Sequence, residues 1–420
     1  METGRRRRRG SSFPDAIVVE IIARLPLRSI SRFKSVCKQW RSLIESSYFR
    51  SLFVSLHRNS SSSWSLMFPI KFQYPITEAI GFHGCERWDL PKSPASYLTP
   101  FQPYPNGDHY YVDSSHGLVW IEANVGTDGY VKTKSFVGNP ISQDWVEIPP
   151  PPDPLTKPSS LVTRVVNGVV SSFKVVRTCT KIIEPRPRER RYAWRMYVYS
   201  SETGAWAFRT PRSPFPLRRA GSNRPLNLNG MLYVWEKRQD DLTGTGVLVS
   251  HDFYGEDDYD QCRIIPLPVS DNKHVRRCSS SSGGDVIYVE ILYQRLKVWK
   301  LKNSNNSSDG EWWQLTREEI NMASVGFDVN CFPLGVNPFD TDLIYLWSRQ
   351  HSCVVSGNLR TQEFTLHQET ETLIGSEDCW RLNTSDSKKH MEAIYDPASV
   401  ITLSQFVLPQ WMDPVPRPPN

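Results

Sequence analysis

The sequence predicts an α+β multidomain chain. A small three-helix module stands at the N-terminus, and a mainly-β, propeller-like domain of about six blades follows it. Two observations carry this expectation. Apolar residues recur at helical spacing from Phe13 to about Phe53, and from Trp64 onward the period becomes that of strands. Within the strand region, similar segments return at near-constant intervals. Composition agrees, because 32 prolines and 14 tryptophans in 420 residues suit many short strands and turns better than a helical bundle.

Residues 1–11 are basic and small and read as a disordered arm. Its run Arg5 to Arg9 fits a nuclear import signal or a phosphate-binding arm as well as a simply solvated end. In the helical module, over 12–56, Pro14 suits a first helical position and Asp15 suits the positive helix start. Phe13, Ile17, Ile21, Ile22 and Leu25 then fall on one face, and Pro26 ends the helix. A second helix starts near Ser29 and places Ile30 and Phe33 together. A third carries Val36 or Cys37 with Trp40, Leu43 and Ile44, and the period does not fix the break before it. Ser60 to Ser63 marks a polar connector over 57–63.

Four pieces of the strand region resemble one another: GLVW (117–120), GMLYVW (230–235), DVIYVE (285–290) and DLIYLW (342–347). Aligning Trp120, Tyr233, Tyr288 and Tyr345 gives spacings of 113, 55 and 57, so one unit is hidden in the first interval, near FKVVR (173–177). Each piece leads into a strand, a polar turn and another strand, as in FVGNPISQDWVEIP and VYSSETGAWAF. A repeat of about 55 residues with several strands is near the blade length of kelch-like propellers, and an irregular β-sandwich array is the alternative. The domain is read as 64–411, with 64–90 and 392–410 supplying the first and last blades, and 412–420 as a Pro-rich tail.

Charge and chemistry narrow the function. Residues 1–58 carry 13 Lys/Arg against 4 Asp/Glu, and the remainder carry 37 against 40, so the basic end favours an acidic partner surface. The large C-terminal part has no net basic excess to support nucleic-acid binding. Eight scattered cysteines without a CxxC pair predict a reducing compartment and no zinc site. No uncharged run of 18 residues occurs, so no membrane span and an intracellular protein are expected. There is no GxGxxG, phosphate-loop, HExxH or GxSxG motif, so neither a catalytic centre nor a cofactor is predicted. The acidic stretch DFYGEDDYDQ (252–261) lacks the alternating carboxylates of a calcium loop and reads as a solvated turn. Cys37 is expected on the apolar face, buried, and Trp312-Trp313 suits blade packing better than a ligand platform.

The stretch FPDAIVVEIIARLPLRSISRFKSVCKQWRSLIESSYFRSLF (13–53) resembles an F-box, with Pro14-Asp15, Ile21, Leu25-Pro26, Arg32-Phe33, Val36-Cys37-Lys38, Trp40 and Ser42-Leu43-Ile44 in matching order. Phe13 replaces the usual Leu, and Ser46-Ser47 stands where Asp-Pro is common. The remainder is similar to the F-box-associated propeller regions of plant F-box proteins. The resemblance implies docking on a Skp-family adaptor and, through it, a cullin, with the propeller holding an unidentified target for ubiquitination. It makes Phe13, Pro14, Ile17, Ile21, Leu25, Pro26, Ile30, Val36, Cys37, Trp40 and Leu43 candidates for the adaptor interface or its support, with Lys34, Lys38 and Arg41 as a basic rim. A segment of about forty residues rarely buries enough apolar area alone, so such a module needs a partner surface. A non-ligase scaffold and a propeller enzyme with a helical arm are the competing classes.

Overall fold

The computed structural model describes residues 14–57, 64–67, 77–82, 98, 108–127, 130–179, 194–215, 217–219, 224–238, 246–255, 261–268, 275–302, 311–326, 331–367, 380–381 and 400–419. Phe13, the Arg5 to Arg9 run and the Ser60 to Ser63 connector lie outside the described residues. The chain divides into two compact units, one helical and one built of strands.

The helical unit holds four helices, one more than the period predicts: α1 (Asp15–Ile22), α2 (Leu27–Phe33), α3 (Lys38–Ile44) and α4 (Ser47–Leu56). Pro14 caps α1 rather than entering it, and Asp15 occupies the first turn. Pro26 both ends the first helical stretch and opens the next. Its φ of −59° and ψ of 147° place it at the α2 N-cap, so α2 starts at Leu27, ahead of Ser29. Cys37 is extended and breaks α2 from α3. Ser46 separates α3 from α4, its hydroxyl accepting the Phe49 N–H at 3.2 Å. Val19, Ile22, Ala23, Leu27, Ile30, Ile44, Phe49 and Phe53 form the interior of the unit. His57 Nε2 donates to the Ala23 carbonyl at 3.1 Å and ties the end of α4 to the end of α1.

The second unit is a ring of six sheets. Blade two is a four-stranded meander, Asp108–Ser115, Leu118–Thr127, Tyr130–Asn139 and Asp144–Ile148. Blade three repeats it with Lys157–Val166, Val169–Thr178, Met196–Ser200 and Ala205–Arg209. Blade four has Leu226–Leu228, Met231–Arg238, Val247–Asp252 and Arg263–Pro266, with Leu217–Arg219 added beside Met231–Arg238. Blade five has Arg276–Ser282, Asp285–Leu292, Arg295–Leu301 and Trp313–Leu315, and blade six has Cys331–Val336, Leu343–Ser348, Cys353–Asn358 and Glu363–His367. The four similar sequence pieces are the second strands of blades two, four, five and six, and the hidden unit at 173–177 is the second strand of blade three. Trp120, Tyr288 and Tyr345 are fully buried there, while Tyr233 is half-buried.

Blade one closes the ring and corrects one expectation. The two ends of the domain share a single blade instead of making a first and a last. Trp64–Met67 pairs with Thr77–Phe82 on one side and with Ser404–Val407 on the other. Closure in one blade removes two exposed sheet edges that separate terminal blades would leave. Trp64 then packs on Tyr345 of blade six, ring centroids 5.3 Å apart.

A buried carboxylate ties the inner strands together. Asp113 of blade two accepts from Ser160 Oγ (2.5 Å) and the Leu161 N–H (2.9 Å) of blade three, from Asn227 Nδ2 (3.0 Å) of blade four, and from Ser404 Oγ (2.8 Å) of blade one. Burial raises its pKa, and the hydrogen bonds from Ser160, Leu161 and Ser404, with Arg224, oppose the rise. Residues 412–419, set apart by composition as a tail, lie along blades two and three. Val415 is buried, its N–H bonds Asp144 Oδ2 at 2.8 Å, and Arg417 bonds Asp144 Oδ1 at 2.5 Å.

Candidate functional site

The helical unit carries a surface that its own interior does not use. In α1, Val19, Ile22 and Ala23 are buried, whereas Ile17 is 46% and Ile21 56% exposed. Those two stand four residues apart and so lie on one side of the helix. In the turn between α2 and α3, Val36 is 60% exposed. Gln39 Nε2 donates to Asp15 Oδ1 at 2.7 Å and brings the start of α3 beside the start of α1. An isolated apolar side chain at a surface is ordinary, but several large ones on adjoining short elements mark a contact surface.

Each predicted residue has a definite place. Pro14 is exposed, and Leu25, Pro26, Trp40 and Leu43 are half-buried. Ile30 is fully buried and belongs to the interior of the unit. Cys37 is exposed, not buried as expected from its place in the apolar pattern. Its extended backbone puts it outside the helix, where Sγ accepts the Trp40 N–H at 3.4 Å as the α3 cap. Trp40 packs on Phe33 with centroids 5.2 Å apart, which locks α3 to α2. Among the basic residues, Lys38 and Arg41 are exposed. Lys34 faces Glu45 at 3.8 Å, and Arg41 Nε donates to the Lys34 carbonyl at 3.2 Å, so only part of the predicted rim is free of internal use. The sequence reading missed Tyr48 and Leu56, 65% and 42% exposed on α4. The Phe49 and Phe53 spacing is the signal that would have placed them, since it fixes which side of α4 is buried.

Asp252 in the acidic stretch accepts the N–H groups of Tyr254 (2.8 Å) and Gly255 (3.0 Å), which is turn formation, and 256–260 lie outside the described residues. No three His, Cys, Asp or Glu side chains gather in metal-holding geometry among the described residues. Trp313 is buried against Tyr288 at 5.7 Å, and its indole N–H donates to the Pro266 carbonyl at 2.7 Å, so it joins blade five to blade four.

The chain thus carries a short helical unit with exposed apolar side chains and, after it, a six-sheet β unit. Residues 11–52 match the F-box domain, and residues 62–417 match the family described as F-box protein At3g26010-like, beta-propeller. In Arabidopsis thaliana, the F-box protein At1g49990 is 52% identical over the whole of both chains. The F-box protein At3g26010 is 40% identical over 100% of this chain and 94% of its own, and the putative F-box/kelch-repeat protein At4g22430 is 39% identical over 97% and 93%. The chain belongs to this family of plant F-box proteins with a propeller region.

Proposed function

We propose that the chain is the substrate-recognition subunit of an SCF-type ubiquitin ligase. F-box domains generally bind Skp-family adaptors, and here the exposed Ile17, Ile21 and Val36 supply the apolar contact, with Lys38 and Arg41 steering an acidic partner. That exposed seam on a unit with its own interior is the observation that carries the reading. Covering the exposed part of Ile17, Ile21 and Val36 contributes about 1 kcal/mol each before the costs of association. The propeller holds a target, and the chain breaks no bond itself. It raises the effective concentration of a target lysine near the charged conjugating enzyme.

Co-expression with a Skp-family adaptor tests this. The native chain is expected to co-purify with the adaptor and to draw a cullin into the complex. Ile21→Asp is expected to abolish co-purification while leaving the melting temperature unchanged, because Ile21 contributes little to the interior. No association of the native chain sinks the reading, and an adaptor complex that recruits no cullin turns it into a scaffold without ligase activity.

A further inference from the structure

Two clefts between neighbouring blades share one device. Trp206, in the last strand of blade three, donates its indole N–H at 2.8 Å to the Pro149 carbonyl, just past the last strand of blade two. Trp313, in the last strand of blade five, donates at 2.7 Å to the Pro266 carbonyl, at the end of blade four's last strand. Each indole belongs to an apolar cluster that spans its two blades. Trp206 shares one with Val146, Ile148 and Tyr199, and Trp313 shares another with Trp235, Ile265 and Tyr288.

The two clefts differ in what else they hold. The first takes the chain's own end, Asp-Pro-Val-Pro-Arg-Pro-Pro (413–419). Val415 is buried in the Trp206 cluster, Asn139 Nδ2 donates to the Asp413 carbonyl at 3.4 Å, and Pro418 lies against Gly204. Proline at every second position fixes φ at about −65° and holds the residues between in extended backbone. The second cleft opens as a cavity of about 460 Å³, its lining including Trp299, Trp312, Trp313, Leu267, Pro268 and Leu315. Arg263 stacks over Trp312 at 4.4 Å and steadies that ring. The Trp312 indole is half-buried and, unlike those of Trp206 and Trp313, meets no acceptor among the described residues.

We propose that the cleft between blades four and five is a docking groove for a proline-rich, extended segment of a partner polypeptide, which, on the receptor reading above, belongs to the target. Residues 413–419 show the kind of segment that such a cleft accepts in this molecule. A polyproline segment has no internal hydrogen bonds, so its carbonyls are free to accept and its rings pack on aromatic walls. The ring already pairs indole N–H groups with proline carbonyls at Trp206 and Trp313, and Trp312 supplies a further donor beside the cavity. The stiffness of the segment keeps the entropy lost on docking small. A saccharide fits less well, because its many hydroxyls need several polar side chains. Of those on the lining, Lys302 and Glu311 already bind each other at 2.8 Å.

Anisotropy of a fluorescent peptide of two Pro-Val-Pro-Gln-Pro-Pro repeats, titrated with the purified full-length chain, tests this. The peptide is expected to bind, with less than about a twofold change as salt rises, because it carries no charge to screen. Replacing its prolines by alanine is expected to cost at least about tenfold, through loss of the preformed extended shape. Trp312→Ala is expected to weaken binding at least about tenfold. Tyr293→Ala with Phe339→Ala removes two exposed rings that do not line the cavity and is expected to cost less than about twofold. Should Trp312→Ala lower the melting temperature, Leu315→Asp, at a 37% exposed position of the lining, replaces it with the same loss expected. Absence of binding, equal binding of the alanine peptide, or undiminished binding by both Trp312→Ala and Leu315→Asp overturns the proposal. A dimer of the native chain that disappears when the chain ends after Leu408 also overturns it, by assigning the cleft to the tail of a second copy. Adaptor co-purification from the same preparation separates the two ideas. Adaptor binding without peptide binding sinks the proline-segment groove alone, and peptide binding without adaptor binding sinks the receptor reading alone.

Discussion

Glu290 shows how a single residue couples this ring to pH. It sits directly across from Arg277 in the first two strands of blade five, both nearly inaccessible to water. Burial pushes its pKa up to about 7, against the pull of the Trp299 indole N–H, Lys297 and Arg277. A carboxyl whose folded pKa is raised holds more protons folded than unfolded in the intervening range. Its contribution is therefore complete below about 4.5 and is lost as pH rises through about 7. Stability is expected to fall between these limits by up to about 3 kcal/mol from this residue. Glu290→Gln, neutral throughout, is expected to flatten that part of the pH profile, which thermal melts across pH 4 to 8 read directly. An unchanged slope in the variant means that Glu290 ionises freely in the folded ring. No sequence feature marks this residue, because Tyr-Val-Glu at the middle of a strand says nothing of the arginine facing it.

At the scale of elements, the tight turns between first and second strands are the recurring device. His116-Gly117, Asn167-Gly168, Asn229-Gly230 and Gly283-Gly284 all have positive φ at both positions, the geometry that matches the twist of adjoining strands. The glycines are not equivalent, however. A Cβ on Gly117 would come within 2.5 Å of the Pro409 side chain, whereas one on Gly168 meets nothing within 4 Å. Gly168→Ala is expected to cost only the conformational strain, about 1 kcal/mol. Gly117→Ala adds displacement of the returning C-terminal segment and is expected to cost at least about 2 kcal/mol more. Denaturant midpoints of the two variants decide it, and equal losses would show that Pro409 yields freely. The helices teach a related lesson. Their existence was legible from period and from Pro14, Pro26 and Ser46, but α1 reads DAIVVEII, apolar nearly all round, so spacing alone could not say that Val19 and Ile22 turn inward while Ile17 and Ile21 turn out.

For the whole molecule, the controlling feature is where the ring is fastened. Ser404–Val407 supplies the inner strand of blade one, and Ser404 joins the Asp113 network on the other side of the closure. Beyond it, Trp411 and Val415 are buried and the chain runs out along blades two and three. Ending the chain after Leu408 is expected to leave the ring closed but less stable by roughly 2–5 kcal/mol, from loss of these two side chains and their hydrogen bonds. Ending it after Ala398 removes the closing strand, exposes an edge of Trp64–Met67, and is expected to yield aggregated protein without a cooperative melt. Size-exclusion chromatography and thermal melts of the two truncations test this. A cooperative monomer from the shorter chain would mean that the Asp113 network and the remaining sheets suffice without closure.

Sequence by itself determined the order of parts: a short helical module, then repeats of a second strand carrying Trp120, Tyr233, Tyr288 and Tyr345, with a fifth copy at 173–177 in the gap. Those features are local, set by period, proline and turn chemistry, and each can be read without knowing its neighbours. Only the tertiary structure decided which apolar residues remain uncovered, that both ends of the domain share one blade, and that Arg164 and Lys174 lie over the Tyr254 ring. These depend on contacts between segments far apart in the chain, such as Arg164 with Tyr254 or Asp113 with Ser404, and no local pattern encodes which distant side chain a residue will meet.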